Sequence, residues 1–555
     1  MMGNLPRAPG APHPLATPGD RAGVPAPGPP PGPQRRRPPA VTLAIAATTA
    51  LALFLRLWQL TRHGYLLGVT EYDDGVYFGS AVRLVHGAAP YKDFITVQPP
   101  GVMLLMTPVA LFAGPLGTAK ALAIGRVLTA CAGAAGVTLT GLLTRHRGPL
   151  AVAVAGGLLA VYPDGVYAAH TVLIEPWLVL FCLAGTLAVM DGDRLAISGR
   201  RLAAGGALFG FAGVCKAWAI VPVLVLLAGL ARTPRRALMF AGGVVAGFGL
   251  PVLPFAALAP RAFYHSVLVA QWSRTDAQRI PLWFRLDSMI GFSHGPFLPH
   301  AALLAVVAAA AVAVAGCSLW ATLASGAYPP ALELFALASG GLIVVAFLWP
   351  ADYYYHYAAF LGPFLALSVV LPAARLADVL RSRRRDSGAG QGLGTAGAGW
   401  SRAWLGVTAG VVLTLAVLQA RTVPDPSYNG VADAIVADEQ LIPAGSCVVA
   451  DAASYTIAAG RFLSARPNCP AMVDSIGADY ALSGGRNGLT GAGHVRAVRQ
   501  FWLSALSRAQ YVWLSGEYQR RIPWTPAITS YFSAHFRLAR ADASGQLFRR
   551  IRDRS

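Results

Sequence analysis

The chain has 555 residues, of which 55% are hydrophobic and only 13% are charged. Soluble globular proteins carry about 25% charged residues, so this composition excludes an ordinary soluble enzyme and predicts a polytopic α-helical membrane protein. The net charge of +20 does not indicate nucleic-acid binding, because the arginines cluster in short loops between apolar segments, as in cytoplasmic loops of membrane proteins.

The first 38 residues differ from the rest of the chain. Residues 1–38 are rich in Pro, Gly and Ala and end in Arg35, Arg36 and Arg37. Such a segment cannot bury enough apolar surface to form a core. We therefore expect a disordered cytoplasmic tail whose arginines anchor the first span at the inner face.

Residues 39–420 are predicted to form a transmembrane domain of about eleven spans, because apolar runs of 18 or more residues can cross about 30 Å of hydrocarbon. Segment 101–113 is too short to cross and is expected to be a juxtamembrane or re-entrant helix. Residues 202–231 begin and end beside arginines, which favours two short spans that turn at Lys216. The other predicted spans are 40–60, 118–143, 149–165, 171–190, 237–258, 297–320, 332–350, 358–374 and 403–420.

An odd number of spans that begins inside places residues 421–555 outside the cytoplasm. Their pattern predicts a helix, a strand, a second helix and strand, and then a helix followed by a hairpin, so we expect a small extracytoplasmic α/β domain. Cys447 and Cys469 can pair in an oxidising compartment, and the spacing leaves open whether they do.

The loop 61–98 after the first span is the main candidate for chemistry. The first 420 residues contain only 15 acidic side chains, and four of them are Glu71, Asp73, Asp74 and Asp93. Adjacent carboxylates on an ordered loop repel each other, so their pKa values separate. Such a pair suits a general base with a partner that orients an acceptor or holds a cation. The alternatives are a solvated loop and a helix that begins near Asp74.

Five polar residues at span ends and in outer loops are further candidates. Glu175 at the outer end of a span is costly unless it faces a cavity or a partner, the alternative being an interfacial acid in water. Lys216 can hold a phosphate or can extend to the interface from a helix end. Gln271 and Arg274 lie in an outer loop, where a guanidinium suits phosphate oxygens or is simply solvated. His356 lies in an aromatic segment that is also typical of the membrane interface.

The first outer loop resembles that of the GT-C superfamily of membrane glycosyltransferases, in particular the branch of protein O-mannosyltransferases and aminoarabinose transferases. The family pattern D-[DE]-x-x-Y, then A-x-x-L-x-x-G-x-x-P-Y-x-D, then P-P corresponds here to DDGVY, AVRLVHGAAPYKD and QPPG. The resemblance implies a catalytic position at Asp73, an acid beside it at Asp74, a substrate-binding Tyr77 and a later loop aspartate at Asp93. It extends less firmly to Glu175 in a T-E-P-like context and to Lys216 in a G-x-x-K-like context.

The resemblance implies a bacterial enzyme that transfers a sugar from a polyprenyl-phosphate donor, with inversion, to a lipid, glycan or protein acceptor at the outer face of the cytoplasmic membrane. A divalent cation at Asp73 and Asp74 is compatible with the pair but is not demanded by it. A transporter or flippase is the main alternative, although it calls for polar groups near the membrane midplane and for related halves. An assembly protein with a sensor-like outer domain is a weaker alternative.

Overall fold

The computed structural model describes residues 39–275, 279–291, 299–386, 394–422 and 427–551. The predicted tail, 1–38, lies outside the described residues, as does part of the Gly-rich segment after residue 386. Residues 40–551 belong to a single compact unit.

The membrane-embedded part consists of long apolar helices connected by short turns. Six helices are long and apolar enough to cross a bilayer, and a seventh span results if Gly406–Thr422 and Ser427–Leu441, which are bent by 42° to each other, count as one. The chain is therefore a multi-pass membrane protein. The six helices are Pro39–Leu60, Thr118–Arg147, Pro234–Leu258, His300–Ser325, Ala331–Leu348 and Tyr355–Arg383.

Several predicted spans form helices shorter than a full bilayer crossing, so the predicted count of about eleven agrees only approximately with this test. These helices are Pro149–Ala160, Glu175–Val189, Gly199–Cys215 and Ile220–Leu230. Gly101–Ala110 is also short, as expected for a segment that was not predicted to cross. The expected break at Lys216 is present, because this residue has an extended backbone with φ −156° and ψ 136° between two helices. The break places the Lys216 side chain where two short helices meet.

Helices Gly199–Cys215 and Pro234–Leu258 approach each other closely through small residues. A Cβ atom on Gly206 would lie 2.1 Å from the Phe240 carbonyl oxygen, and one on Gly247 would lie 2.1 Å from the Ala207 carbonyl oxygen. Glycine is required at such positions, since van der Waals packing of backbones drives helix association in a membrane. The close packing of these two helices supports the break at Lys216, which follows the first of them.

The first outer loop begins with the amphipathic helix Asp73–Val85, whose first turn carries Asp73 and Asp74. Negative side chains are favourable at this position because they complement the partial positive charge of a helix N-terminus. The helix packs on Gly101–Ala110 and on the apolar core of the membrane part. The interpretation of a helix start near Asp74 is therefore correct, and the loop is an ordered element.

The C-terminal part is an α/β unit with a mixed four-stranded sheet. Strand Val448–Ala450 pairs in parallel with Tyr511–Leu514, which pairs antiparallel with Gly545–Arg550, and the hairpin partner Phe536–Asp542 forms the edge. The flanking helices are Ser427–Leu441, Ala453–Ala458, Ser475–Ser483, Arg496–Arg508 and Pro526–His535. A disulfide joins Cys447 and Cys469, which resolves the open question of their pairing.

The C-terminal part is docked directly on helix Asp73–Val85. A Cβ atom on Gly75 would lie 2.3 Å from the backbone nitrogen of Ser454, so only a glycine permits this approach. Arg83 donates to the Phe462 carbonyl at 3.1 Å and lies over its ring. The helix that carries the paired acids is thus held between the membrane part and the C-terminal part.

Candidate active site

A cavity of about 510 Å³ lies where three parts of the chain meet. The N-terminal end of helix Asp73–Val85 forms one side, the aromatic segment 354–357 forms another, and residues of the C-terminal part complete it. Ligand pockets in proteins usually measure about 300–1,000 Å³. The cavity is therefore large enough to enclose a small polar substrate.

Asp73 lines this cavity, and its carboxylate accepts a hydrogen bond from the hydroxyl of Tyr77 at 3.2 Å. The two residues are four apart on one helix, so their side chains lie on the same face. Tyr77 also lines the cavity. The structure thus brings the predicted base and the predicted substrate-binding tyrosine together.

Asp74 does not line the cavity but is fully buried beneath it. Its Oδ2 lies 2.7 Å from a terminal nitrogen of Arg126 and 2.7 Å from the Thr171 hydroxyl, both of which donate to it. Arg126 also donates to the carbonyls of Tyr65 and Leu66. Asp74 therefore anchors the loop to helix Thr118–Thr144.

Glu175 occupies the centre of a second buried charge cluster. The Lys216 amine donates to its Oε1 at 2.7 Å, and His356 Nδ1 lies 2.9 Å from its Oε2. The Lys216 ammonium also lies 3.8 Å from the ring centroid of Trp218 and 3.9 Å from that of Tyr357. Lys216 and His356 line the cavity, with Glu175 behind them.

Arg274 contributes a second cation to the same cavity. Its guanidinium lies 4.6 Å from the ring centroid of Tyr480 and 4.0 Å from a carboxylate oxygen of Asp352. Aromatic rings stabilise a cation over their faces without neutralising it. The Asp352 oxygen, at 4.0 Å, is beyond hydrogen-bond distance, so the guanidinium keeps N–H donors for an anion.

Two predicted site residues lie elsewhere. Asp93 is exposed, accepts a hydrogen bond from the backbone nitrogen of Ala89 at 2.8 Å, and lines a separate cavity of about 400 Å³. Gln271 donates to the Val97 carbonyl at 2.8 Å and is not among the residues that line the main cavity. Their contacts shape the loop, and their predicted roles in substrate binding stay predictions.

Glu71 also lines the cavity, although the sequence provided no role for it. The Tyr355 hydroxyl donates to its carboxylate, and burial raises the pKa of Glu71 to about 7. Its position in the acidic cluster of the first outer loop was a signal that could have identified it.

The C-terminal part supplies residues that sequence reasoning missed. The Tyr72 hydroxyl donates to Asp474 at 2.9 Å, and the guanidinium of Arg521 lies 4.6 Å from the Tyr72 ring centroid. Asp474 caps helix Ser475–Ser483 through the nitrogen of Gly477, and burial raises its pKa. The sequence around Asp474 indicates only a helix cap. No motif links Asp474 to Tyr72, which lies 402 residues earlier in the chain.

The described residues contain no group of three or more His, Cys, Asp or Glu side chains that could hold a metal ion. Asp73 faces the cavity, whereas Asp74 is engaged by Arg126. Among the described residues, the carboxylates of Asp73 and Asp74 therefore do not point to a common ligand position.

Solved structures align with this chain, whereas comparison of its sequence with known families and proteins finds no match. No protein-family model matches the chain, and no curated protein matches it. ArnT from Cupriavidus metallidurans, bound to undecaprenyl phosphate, aligns with a TM-score of 0.56 and 16% identity over 92% of this chain and 98% of ArnT. The apo state of ArnT aligns equally well.

The Archaeoglobus fulgidus oligosaccharyltransferase in its apo form aligns with a TM-score of 0.48 and 13% identity, over 93% of this chain and 75% of that enzyme. This score is too low to carry an argument, so the fold assignment depends on ArnT. The ArnT alignment covers both the helical part and the C-terminal part. The chain therefore has the fold of ArnT.

Proposed function

We propose that this protein is an inverting glycosyltransferase that transfers a sugar from a polyprenyl-phosphate donor to an acceptor hydroxyl at the outer face of the cytoplasmic membrane. The observation that carries the proposal is the cavity, in which Asp73 lies with the cations Lys216 and Arg274. A carboxylate base and a pair of cations are the groups that displacement of a lipid phosphate requires.

In the proposed reaction, Asp73 accepts the proton of the acceptor hydroxyl while the acceptor oxygen attacks the anomeric carbon. The bond between that carbon and the phosphate oxygen breaks, and polyprenyl phosphate leaves with the electron pair. A direct displacement inverts the anomeric carbon, since the nucleophile enters opposite to the leaving group. The hydrogen bond from Tyr77 fixes the orientation of the Asp73 carboxylate.

The leaving phosphate gains negative charge, and we assign its stabilisation to Lys216 and Arg274. Glu175 holds the Lys216 amine in position, and His356 contacts the other oxygen of Glu175. A preorganised cation stabilises developing charge without reorganisation. Undecaprenyl phosphate is the lipid bound to ArnT in the aligned structure. A lipid of this class suits the proposed donor here.

Asp74 is assigned a positioning role. Its ion pair with Arg126 and its hydrogen bond from Thr171 hold the first turn of helix Asp73–Val85. The adjacent Asp73 is thereby kept at the cavity. In this assignment Asp73 contacts the substrate, and Asp74 holds Asp73 in position.

The disulfide between Cys447 and Cys469 supports the proposed orientation. Disulfides persist in oxidising compartments and are rare in the cytoplasm. The cavity is lined in part by the C-terminal part, so the site and this domain share one side of the membrane. An N-terminus inside and a C-terminal domain outside agree with the arginine placement in the sequence.

The proposal is tested with purified protein in nanodiscs. Radiolabelled undecaprenyl-phosphate sugars are incubated with a membrane extract, and release of label to an acceptor or to water is measured with and without EDTA. We expect turnover by the wild type and a loss of at least about 100-fold in Asp73→Asn. Asp433→Asn is the control, because this acid is exposed and does not line the cavity.

Full transfer activity in Asp73→Asn would exclude Asp73 as the base. Movement of intact donor across the bilayer without any new glycosidic bond would favour the transport alternative. A loss of turnover in the samples with EDTA would show that the reaction depends on a divalent cation.

A further inference from the structure

The cavity is unusually rich in tyrosine. Eight of the 30 residues that line it are tyrosines, and the whole chain of 555 residues contains only 18. Two come from residues 72–77, three from the segment 354–357 and three from the C-terminal part. No Leu, Met, Phe or Trp is among the described residues that line it. This wall offers apolar rings that each carry a hydroxyl, whereas it offers little aliphatic surface for a lipid chain.

The tyrosines are paired with carboxylates around the cavity. Three such pairs are formed by donation from the tyrosine hydroxyl: Tyr77 to Asp73, Tyr72 to Asp474 and Tyr355 to Glu71. A carboxyl group has two oxygens, and one accepted hydrogen bond leaves it with further acceptor sites. Each pair can therefore accept further hydrogen bonds from hydroxyl groups of a bound molecule.

Four cations line the cavity, namely Lys216, Arg274, Arg520 and Arg521, and the first two mark a different region from the remaining tyrosines. Lys216 lies over Tyr357 and Arg274 over Tyr480, so these rings belong to the region assigned to the phosphate. Tyr455 is half-buried, and its electrostatic partners are Asp451, Arg521 and Glu517. The region beside Tyr455 belongs to the C-terminal part and is available for the second substrate.

We infer that the acceptor is a carbohydrate, which binds against Tyr455 with its hydroxyl groups directed to the tyrosine–carboxylate pairs. This inference rests on the proposed function and names its acceptor class. The flat C–H faces of a sugar ring pack on aromatic rings, and its hydroxyl groups donate to carboxylates and exchange hydrogen bonds with tyrosine hydroxyls. The aliphatic side chains of the described lining are four Val, one Ile and two Ala, so the part of the acceptor that enters the cavity is expected to be polar.

The test separates acceptor binding from turnover. Binding of a panel of p-nitrophenyl glycosides to the full-length protein in nanodiscs is measured by microscale thermophoresis, without donor. Transfer of label from undecaprenyl-phosphate sugars is then measured with the glycosides, with a Ser- and Thr-containing hexapeptide and with a lipid extract. We expect saturable binding of at least one glycoside, and transfer to it in preference to the peptide and the lipids.

Tyr455→Phe removes one hydroxyl and keeps the ring, so we expect the apparent KM for the glycoside to rise about fivefold. The KM for the donor is expected to change less than twofold. Tyr455→Ala also removes the ring and is expected to raise the glycoside KM by about tenfold or more. Tyr531→Phe is the control, because Tyr531 stacks on His535 in the same domain and does not line the cavity.

Transfer to the peptide or to a lipid, with no glycoside bound or used, would overturn the carbohydrate inference and leave the transferase intact. Equal changes in the donor and glycoside KM of Tyr455→Phe would also overturn it. Saturable glycoside binding without turnover of any donor would instead contradict the proposed function.

Discussion

Replacing Asp74 by Asn tests whether this acid is structural or catalytic. The side chains of Asp74 and Arg126 are both fully buried, and their charged atoms lie 2.7 Å apart. An amide has the same shape as the carboxylate but no charge. Arg126 would then be a buried cation without an anionic partner among the described residues, although its hydrogen bonds to the carbonyls of Tyr65 and Leu66 remain.

Removing one member of a buried ion pair destabilises a protein by about 3–5 kcal/mol. Since about 1.4 kcal/mol corresponds to a tenfold change in an equilibrium constant, the ratio of folded to unfolded protein should fall by a factor between about 10² and 10⁴. Titration with SDS in mixed micelles, followed by tryptophan fluorescence, measures this change. The midpoint for Asp74→Asn should lie well below that of the wild type.

A double variant isolates the pair itself. Asp74→Asn with Arg126→Gln removes both charges, so its loss of stability should be smaller than the sum of the two single losses. Asp93→Asn, an exposed acid of the same loop, should keep the wild-type midpoint. A fully stable Asp74→Asn protein that has lost turnover would refute the positioning role and assign Asp74 to the chemistry.

Two further predictions concern the cavity wall and the domain contact. Burial raises the pKa of Glu71 from 4.5 to about 7, so the contribution of Glu71 to folding stability is fully present below pH 4.5 and is lost as the pH rises through 7. The Tm of the wild type should therefore fall more steeply from pH 5 to pH 8 than that of Glu71→Gln, and equal slopes would contradict this. Gly75→Ala places a Cβ 2.3 Å from the Ser454 backbone nitrogen and should reduce both Tm and transfer, whereas Gly242→Ala, with open space at its Cβ, should change neither.

The helical part of the fold follows from information within single segments. Apolar length and flanking arginines predict helices, and a lysine inside the apolar run 202–231 predicts the break that the structure places at Lys216. Short helices such as Pro149–Ala160 explain why the span count was only approximate. Their lengths depend on packing against neighbours, which a hydropathy pattern does not contain.

The site was predictable where its residues share a local motif or stand out as polar groups beside apolar spans. Asp73 and Tyr77 follow from the loop pattern, and both line the cavity. Lys216, Arg274 and His356 follow from their positions at span ends and in outer loops, and they line it as well. Asp474 and Arg521 reach the same cavity from the C-terminal part, where their local contexts are a helix cap and a pair of arginines. Their contribution depends on docking of that part onto Gly75, and no periodicity in the sequence encodes that contact.

The paired acids show how one helix assigns two roles to adjacent residues. Successive residues of an α-helix are rotated by about 100°, so Asp73 and Asp74 cannot face the same surroundings. Asp74 points into the core, where a bare carboxylate would be very costly, and Arg126 with Thr171 compensates it. Asp73 points to the cavity, where its protein donor is the neutral Tyr77 hydroxyl. An acid engaged by a buried guanidinium is poorly suited to accept a proton, so these surroundings favour Asp73 over Asp74 as the base of the proposed reaction.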